Sequence, residues 1–148
     1  MKTNNNINMK IFIIEDDANK CKDIIRCLQE RLSQVKIDCA SSYAKGIKKG
    51  CSGNYNIIIV DNCLPFYDDN PIDLHPDMAE LIIEELVEFT GDSVGKFIIC
   101  SQYEKEEEGE KLRKVQKRNK EVCLGVVKYE NNSDKWKDNL IRFITTTI

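Results

Sequence analysis

The chain has 148 residues, of which 41% are hydrophobic and 32% are charged, and its formal net charge is −3. This composition and length suit one globular domain with a substantial core. The small negative charge gives no reason to expect nucleic-acid binding, and no apolar run is long enough to span a bilayer. We expect one domain over residues 9–148. The polar, asparagine-rich residues 1–8 lack a secretory apolar stretch and are predicted to be a disordered tail.

Seven cysteines are scattered along the chain without a C-x-x-C pair, and the single histidine is His75. An odd number of cysteines, no export signal and no metal-ligand spacing predict reduced thiols in a cytoplasmic protein, used as small apolar side chains. The cysteines are Cys21, Cys27, Cys39, Cys51, Cys63, Cys100 and Cys123.

Short apolar runs alternate with amphipathic segments along the chain. Apolar β-branched runs are typical of buried parallel strands, and apolar residues at helical spacing indicate helices that pack on a sheet. Strands are predicted at residues 10–14, 35–40, 57–60, 96–100 and 122–127. Helices are predicted at residues 17–32, 43–51, 77–90, 104–120 and 134–145. Five such units with short links predict a right-handed, doubly wound α/β sandwich.

Residues 65–76 interrupt this alternation. They include all three prolines and several aspartates, which break both helical and strand periodicity, so we predict an irregular loop there. We expect its acidic residues Asp68 and Asp69 to be solvated.

Polar side chains follow four of the predicted strands, at the point where each strand ends. Glu15 and Asp16 follow the first strand, Asp61 the third, Ser101 the fourth and Lys128 the fifth. Ligands of open parallel sheets bind outside the carboxyl ends of the strands, so these side chains should converge on one edge. Three carboxylates, a hydroxyl and an ammonium have the composition of a divalent-metal and phosphoryl site.

This arrangement resembles the receiver domain of two-component response regulators over nearly the whole chain. The matching segments are Ile13-Ile14-Glu15-Asp16-Asp17 and Ile59-Val60-Asp61-Asn62-Cys63-Leu64-Pro65, together with Ser101 and Lys128. The resemblance implies a CheY-like, flavodoxin-like fold, with a five-stranded parallel sheet in the order 2-1-3-4-5 and five helices. It also implies a phosphoacceptor and not an enzyme, with only self-catalysed phosphorylation and dephosphorylation. Because no output domain follows in this sequence, we expect a stand-alone receiver.

The resemblance assigns the acceptor and the metal ligands. Asp61 would be the nucleophile and would form an aspartyl-phosphate. Mg²⁺ or Mn²⁺ would be held by Glu15, Asp16 and Asp61, because crowded carboxylates favour a bound cation and Mg²⁺ takes oxygen ligands. The backbone carbonyl of Cys63 would be a further ligand.

The resemblance also assigns the switch and the partners. Ser101 would donate a hydrogen bond to one phosphoryl oxygen, and the Lys128 ammonium would pair with another. The face formed by the fourth helix and fifth strand would then rearrange, and it is a candidate homodimer surface. The phosphoryl donor would be a histidine kinase or a histidine phosphotransfer protein. The output would be a contact with an unidentified protein, without nucleic acid or membrane.

Four features depart from the family pattern. Tyr129 follows Lys128 where proline is usual, and a trans bond is expected because a cis bond before a non-proline residue costs about 3 kcal/mol. Gly125 stands where the family has its switch aromatic residue. Gln102 is bulkier than the usual residue and should narrow access to Asp61. The loop after the third strand is longer and more acidic than usual.

These departures leave two other functions open. A pseudo-receiver would keep the fold as a binding module without a working phospho-switch. A magnesium-dependent phosphohydrolase ranks third, because such enzymes commonly place a second carboxylate two residues after the nucleophile, where this chain has Cys63. Taken singly, the acids after the first strand are also consistent with a helix start, and Ser101 and Lys128 with ordinary loop and surface residues.

Overall fold

The computed structural model describes residues 8–147, so the predicted tail lies outside the described residues except for Asn8. The strands are β1 (Met9–Ile14), β2 (Val35–Ala40), β3 (Ile57–Val60), β4 (Leu64–Pro65), β5 (Leu74–His75), β6 (Lys96–Ser101) and β7 (Cys123–Lys128). The helices are α1 (Ala18–Arg31), α2 (Tyr43–Ser52), α3 (Met78–Thr90), α4 (Glu106–Arg118) and α5 (Lys135–Thr145), with a 3₁₀ turn at Gly91–Ser93.

Five strands form one parallel sheet in the order β2-β1-β3-β6-β7. Counting only these five along the chain, the order is 2-1-3-4-5, which confirms the predicted topology. Ile14 is in register with Ala40 on one side and with Val60 on the other, and Val60 is in register with Ile99. The residues that follow β1 and β3 therefore start from adjacent points on the same edge of the sheet.

Every predicted long strand and helix is present, with bounds that differ by at most two residues. The first helix illustrates why one boundary moves. Asp17 has extended backbone angles, and its carboxylate accepts hydrogen bonds from the N–H groups of Asn19 at 2.9 Å and Lys20 at 3.1 Å. Asp17 is therefore the N-cap of α1 and not its first helical residue, because a capping aspartate satisfies N–H groups that have no partner within the helix.

The prediction of an irregular loop over residues 65–76 is wrong in part. Leu64–Pro65 and Leu74–His75 pair as a short antiparallel ladder, in which Leu64 is in register with His75. Leu64 is fully buried, and the His75 ring lies 4.1 Å from that of Phe66. These contacts close the segment into a small hairpin, which composition alone does not predict.

The sheet buries both of its faces, because successive side chains along each strand point in opposite directions. One face packs on α2, α3 and α4 through a core that includes Phe12, Val60, Ile82, Phe97 and Leu112. The other face packs on α1 and α5 through a core that includes Ile13, Ile59, Leu28, Trp136 and Leu140. Among the described residues, no helix is both long and apolar enough to cross a membrane.

Candidate functional site

Three carboxylates meet at the carboxyl edge of the sheet. One side-chain oxygen from each of Glu15, Asp16 and Asp61 lies within 4.8 Å of the other two. The sheet places them together, because the Asp61 N–H donates to the Ile14 carbonyl at 3.0 Å and so joins the ends of β1 and β3. Glu15 and Asp61 are almost fully buried and Asp16 is half-buried. The convergence of these three predicted site residues is therefore present in the structure.

A buried lysine from α1, which the sequence analysis missed, also lies in this cluster. Lys20 is only 3% exposed, and its ammonium lies 2.5 Å from Glu15 Oε1 and 3.2 Å from Asp61 Oδ1. It also donates a hydrogen bond to the Cys100 carbonyl at the end of β6, at 2.7 Å. Its ammonium lies 5.6 Å from the centre of the Tyr129 ring. Lys20 thus joins α1, β1, β3 and β6 at one point.

Burial and mutual repulsion govern the protonation of the cluster. Burial, followed by the Asp61 charge, raises the pKa of Glu15 to about 8, although Lys20 opposes this rise. Burial also raises the pKa of Asp16. Burial disfavours the charged form of Lys20, but the neighbouring carboxylates, Asp61 first, outweigh it and raise the pKa of the ammonium. Because burial and mutual repulsion disfavour the ionised carboxylates, the cluster favours a bound cation.

The donor set fits a divalent cation. Glu15 Oε1 is buried, and the Lys20 ammonium, 2.5 Å away, is its charged partner among the described residues. It is a carboxylate oxygen, as are the nearby atoms of Asp16 and Asp61, and oxygen is the ligand atom that Mg²⁺ prefers. With all three carboxylates ionised, the cluster and the Lys20 ammonium together have a formal charge of −2, which a divalent ion would neutralise. Such an ion would be held by Glu15, Asp16 and Asp61.

Asn62 fixes the loop that carries the nucleophile candidate. Its N–H donates to Asp61 Oδ1 at 2.8 Å. Its carbonyl accepts from the Met78 N–H at 3.0 Å, and its side-chain oxygen accepts from the Ala79 N–H at 3.3 Å, so Asn62 caps α3. Cys63 follows on the same loop, half-buried, and burial together with the Asp61 charge raises the pKa of its thiol.

Ser101 and Lys128 lie at the same edge of the sheet, but the Lys128 ammonium is not within 4.0 Å of the carboxylates of Glu15, Asp16 or Asp61. Ser101 is 6% exposed at the end of β6, in register with Lys128. The Lys128 side chain is 41% exposed, and its ammonium lies 3.5 Å from Glu130 and 5.2 Å from the centre of the Tyr103 ring. Among the residues that the structure describes, the cation within 4.0 Å of the Asp61 carboxylate is Lys20.

Alternation along β7 explains this orientation. Val127 and Tyr129 are buried against α1 and α5, so Lys128 between them points to the opposite face, beside Tyr103 and α4. The Tyr129 hydroxyl donates to Asp23 on α1 at 2.5 Å, which holds the ring inward. The Lys128–Tyr129 bond is trans, as expected from the absence of proline.

Gln102 and Gly125, two further departures from the receiver pattern, lie at different places in the structure. Gln102 is exposed, and no described contact brings its side chain to the carboxylates. A side chain at Gly125 would collide with the Phe143 ring, because an added Cβ would lie 2.3 Å from Phe143 Cζ. The glycine therefore makes room for an aromatic residue of α5, and this part of β7 has no space for a second ring.

The acidic loop is held at Asp68, whose side chain keeps 32% of its surface exposed, as expected, but also forms an ion pair. Its carboxylate lies 2.7 Å from the Lys45 ammonium and accepts from the Ser41 hydroxyl at 3.3 Å. The Lys45 side chain lowers the pKa of Asp68. Asp69 is exposed, as predicted. Lys45 and Asp68 form one wall of an open groove of about 300 Å³ beside Glu15.

Helical spacing is the signal that could have found Lys20 in the sequence. Lys20 precedes Ile24 by four residues and Cys27 by seven, so it lies on the buried face of α1. A lysine on an apolar stripe needs a buried partner of opposite charge. The acids that follow β1 and β3 were the nearest candidates.

Neither a known protein family nor a curated protein matches the sequence. Solved structures match the fold. A CheY-like receiver domain from Methanospirillum hungatei JF-1 is 16% identical, with a TM-score of 0.64, over 95% of this chain and 94% of that one. The receiver domain of a Pseudomonas aeruginosa PAO1 sensor histidine kinase, with magnesium coordinated in its active-site cleft, is 11% identical, with a TM-score of 0.66, over 95% and 97%.

The phosphorylated cyanobacterial phytochrome response regulator RcpA is 13% identical, with a TM-score of 0.68, over 96% of this chain and 97% of that one. These matches extend over almost the full length of both chains, and the strand order is the same as that predicted. The chain therefore has the flavodoxin-like fold of response-regulator receiver domains.

Proposed function

We propose that this protein is a receiver that accepts a phosphoryl group on Asp61 with the aid of Mg²⁺ or Mn²⁺. The observation that carries the proposal is the cluster of Glu15, Asp16 and Asp61, whose oxygens lie within 4.8 Å of one another at the carboxyl edge of a receiver fold. The metal would be bound by these three side chains and by the Cys63 carbonyl. It would neutralise charge on the transferring phosphoryl group.

Transfer of the phosphoryl group to Asp61 requires no reactant other than the phosphoryl donor. One Asp61 oxygen forms a bond to phosphorus, the bond from phosphorus to the leaving group breaks, and the leaving group departs with the electron pair. With acetyl phosphate as the donor, the products are an aspartyl-phosphate and acetate. Asp61 Oδ1 already accepts hydrogen bonds or ion pairs from Asn62 and Lys20, so Oδ2 is the attacking atom.

The physiological donor in this proposal is a histidine kinase or a histidine phosphotransfer protein, with which receiver domains generally pair. The protein would act in the cytoplasm as a phosphoacceptor regulator, and its output would be a protein contact. Ser101 at the end of β6 is the candidate to bind a phosphoryl oxygen through its hydroxyl. The role predicted for Lys128 stays a prediction, and so do a homodimer through α4 and β7 and the access role of Gln102.

The test is intact-protein mass after incubation with acetyl phosphate, with and without Mg²⁺. The expected result is one labile phosphoryl group on the wild type that requires Mg²⁺ and is absent from Asp61→Asn. Asp69→Asn is the matched control, because Asp69 is an exposed aspartate of the neighbouring loop. Uptake at undiminished stoichiometry in a folded Asp61→Asn variant would rule out Asp61 as the acceptor.

A pseudo-receiver is the second candidate, and one observation favours it. The Lys20 ammonium already neutralises part of the carboxylate cluster, and the Lys128 ammonium lies beside Glu130. Binding of Mn²⁺ without any phosphoryl uptake, under conditions that label a control receiver, would select this alternative.

A further inference from the structure

Burial of the Lys20 ammonium at this position costs free energy, so a purely structural role does not explain why a lysine is there. A buried ammonium loses its hydration, and a positive charge in the first turn of a helix is opposed by the helix dipole. A leucine or methionine would complete the apolar face of α1 without either cost. The ammonium is nevertheless held on three sides, by Glu15, Asp61 and the Cys100 carbonyl.

The two lysines near this edge of the sheet differ sharply in their surroundings. Lys20 is 3% exposed and contacts the acceptor carboxylate, whereas the side chain of Lys128 is 41% exposed and its ammonium lies 3.5 Å from Glu130. Tyr129, packed inward against Trp136 at 5.0 Å between ring centres, fills the space beside Lys20. The same alternation that buries Tyr129 turns Lys128 outward.

We propose that Lys20 is the cation that binds the phosphoryl oxygens on Asp61, in place of Lys128. This inference rests on the proposed function. Before transfer, the ammonium neutralises Asp61 and holds Oδ1, which leaves Oδ2 to attack phosphorus. After transfer, the Asp61 carboxylate has become an acyl phosphate, and the negative charge lies on the phosphoryl oxygens. The flexible stem of Lys20 lets the ammonium follow that charge.

The same contact provides a link from Asp61 to Ser101. Lys20 donates to the carbonyl of Cys100, and Ser101 is the next residue of β6. The Ser101 carbonyl in turn accepts from the Tyr129 N–H at 3.0 Å. Movement of the ammonium toward a phosphoryl group would break its hydrogen bond to the Cys100 carbonyl. The conformation at the end of β6 would then depend on whether Asp61 is phosphorylated.

The test compares the rate of phosphoryl uptake from acetyl phosphate at saturating Mg²⁺ in three variants. Lys20→Met should lose about 100-fold, the loss typical when one preorganised charge-stabilising group is removed. Lys22→Met, which removes an exposed lysine from the same helix, should equal the wild type. Lys128→Met should lose far less than Lys20→Met. A reversed order of the Lys20 and Lys128 variants would overturn the proposal.

Chemical rescue separates a catalytic ammonium from a structural side chain. Lys20→Ala leaves a space in which propylammonium replaces the missing side chain, so added propylammonium should restore uptake. It should not restore Lys20→Met, because the methionine fills that space. Circular dichroism checks that both variants are folded. Equal behaviour of the two variants with the amine, whether rescue or none, would argue against direct contact with the phosphoryl group.

Mn²⁺ titration without a phosphoryl donor keeps this inference separate from the proposed function. Loss of a positive charge beside Glu15 and Asp61 should tighten Mn²⁺ binding in Lys20→Met and leave it unchanged in Lys22→Met. If the wild type takes up no phosphoryl group, the proposed function fails and the phosphoryl role of Lys20 fails with it. If the wild type is labelled and Lys20→Met is labelled equally fast, only the inference fails.

Discussion

Among single residues, Gly125 shows how the Phe143 ring limits which side chains β7 can accommodate. Gly125 is buried, and the Phe143 ring of α5 lies where its Cβ would be, 2.3 Å from Phe143 Cζ. Two residues later, Val127 packs into the same core, on the side of α1 and α5. A ring at position 125 would displace Phe143, so an aromatic switch residue on this strand is incompatible with the observed packing of α5.

We therefore expect Gly125→Ala to lower the free energy of unfolding by about 1–3 kcal/mol, the usual cost of overpacking. In a Phe143→Ala background, the same substitution should cost much less, because the colliding ring is gone. Urea unfolding of the four proteins gives this double-mutant cycle. An equal cost in both backgrounds would show that the Phe143 ring moves aside freely.

At the level of whole helices, α3 and α4 are joined across their exposed surface by an ion pair between Glu80 and Arg118. The Arg118 guanidinium donates to both Glu80 oxygens, at 2.9 and 2.8 Å, and the Asn119 side chain donates to Glu80 at 3.1 Å. The hydrogen bond from Arg118 lowers the pKa of Glu80 below its ordinary value of 4.5. The contact lies at the end of α4, where basic residues also complement the helix dipole.

This lowered pKa predicts a pH-dependent contribution to stability. A carboxylate whose pKa is lower in the folded state stabilises the fold fully above its unfolded pKa, and that contribution is lost as the pH falls through the folded value. Glu80→Gln should therefore unfold at a lower temperature than the wild type at pH 7, and the difference should shrink below about pH 4.5. Thermal unfolding followed across pH 3–7 measures this. A difference that is constant over the whole range would contradict the assignment.

At the scale of the whole molecule, one sheet is shared by two cores. Ile82 of α3 is fully buried on one face and Leu140 of α5 on the other, and Trp136 lies in the second core. The buried strands between them contribute side chains to both sides. Because neither layer of helices can be lost without exposing the sheet, the described domain should unfold as one unit.

Ile82→Ala and Leu140→Ala should each cost about 2–5 kcal/mol, and the double variant should show the sum within about 0.5 kcal/mol. Unfolding followed by Trp136 fluorescence and by backbone circular dichroism should give coincident transitions in all three proteins. Fluorescence that changes first in Leu140→Ala would show instead that the α1 and α5 layer separates on its own.

Local periodicity predicted the doubly wound α/β sandwich and the placement of Glu15, Asp16 and Asp61 at one edge, because parallel strands end together and polar residues follow each apolar run. The strand order was implied by the resemblance to receiver domains, and the structure confirms it. The lysine that contacts Asp61 and the cation that pairs with Asp68 could be identified only from the packing of the folded chain. Those outcomes depend on which face of an element a side chain leaves, and on contacts such as that between Lys20 and Cys100, which are 80 residues apart. Local pattern fixes where a strand ends, but packing between distant elements fixes where its terminal side chains point.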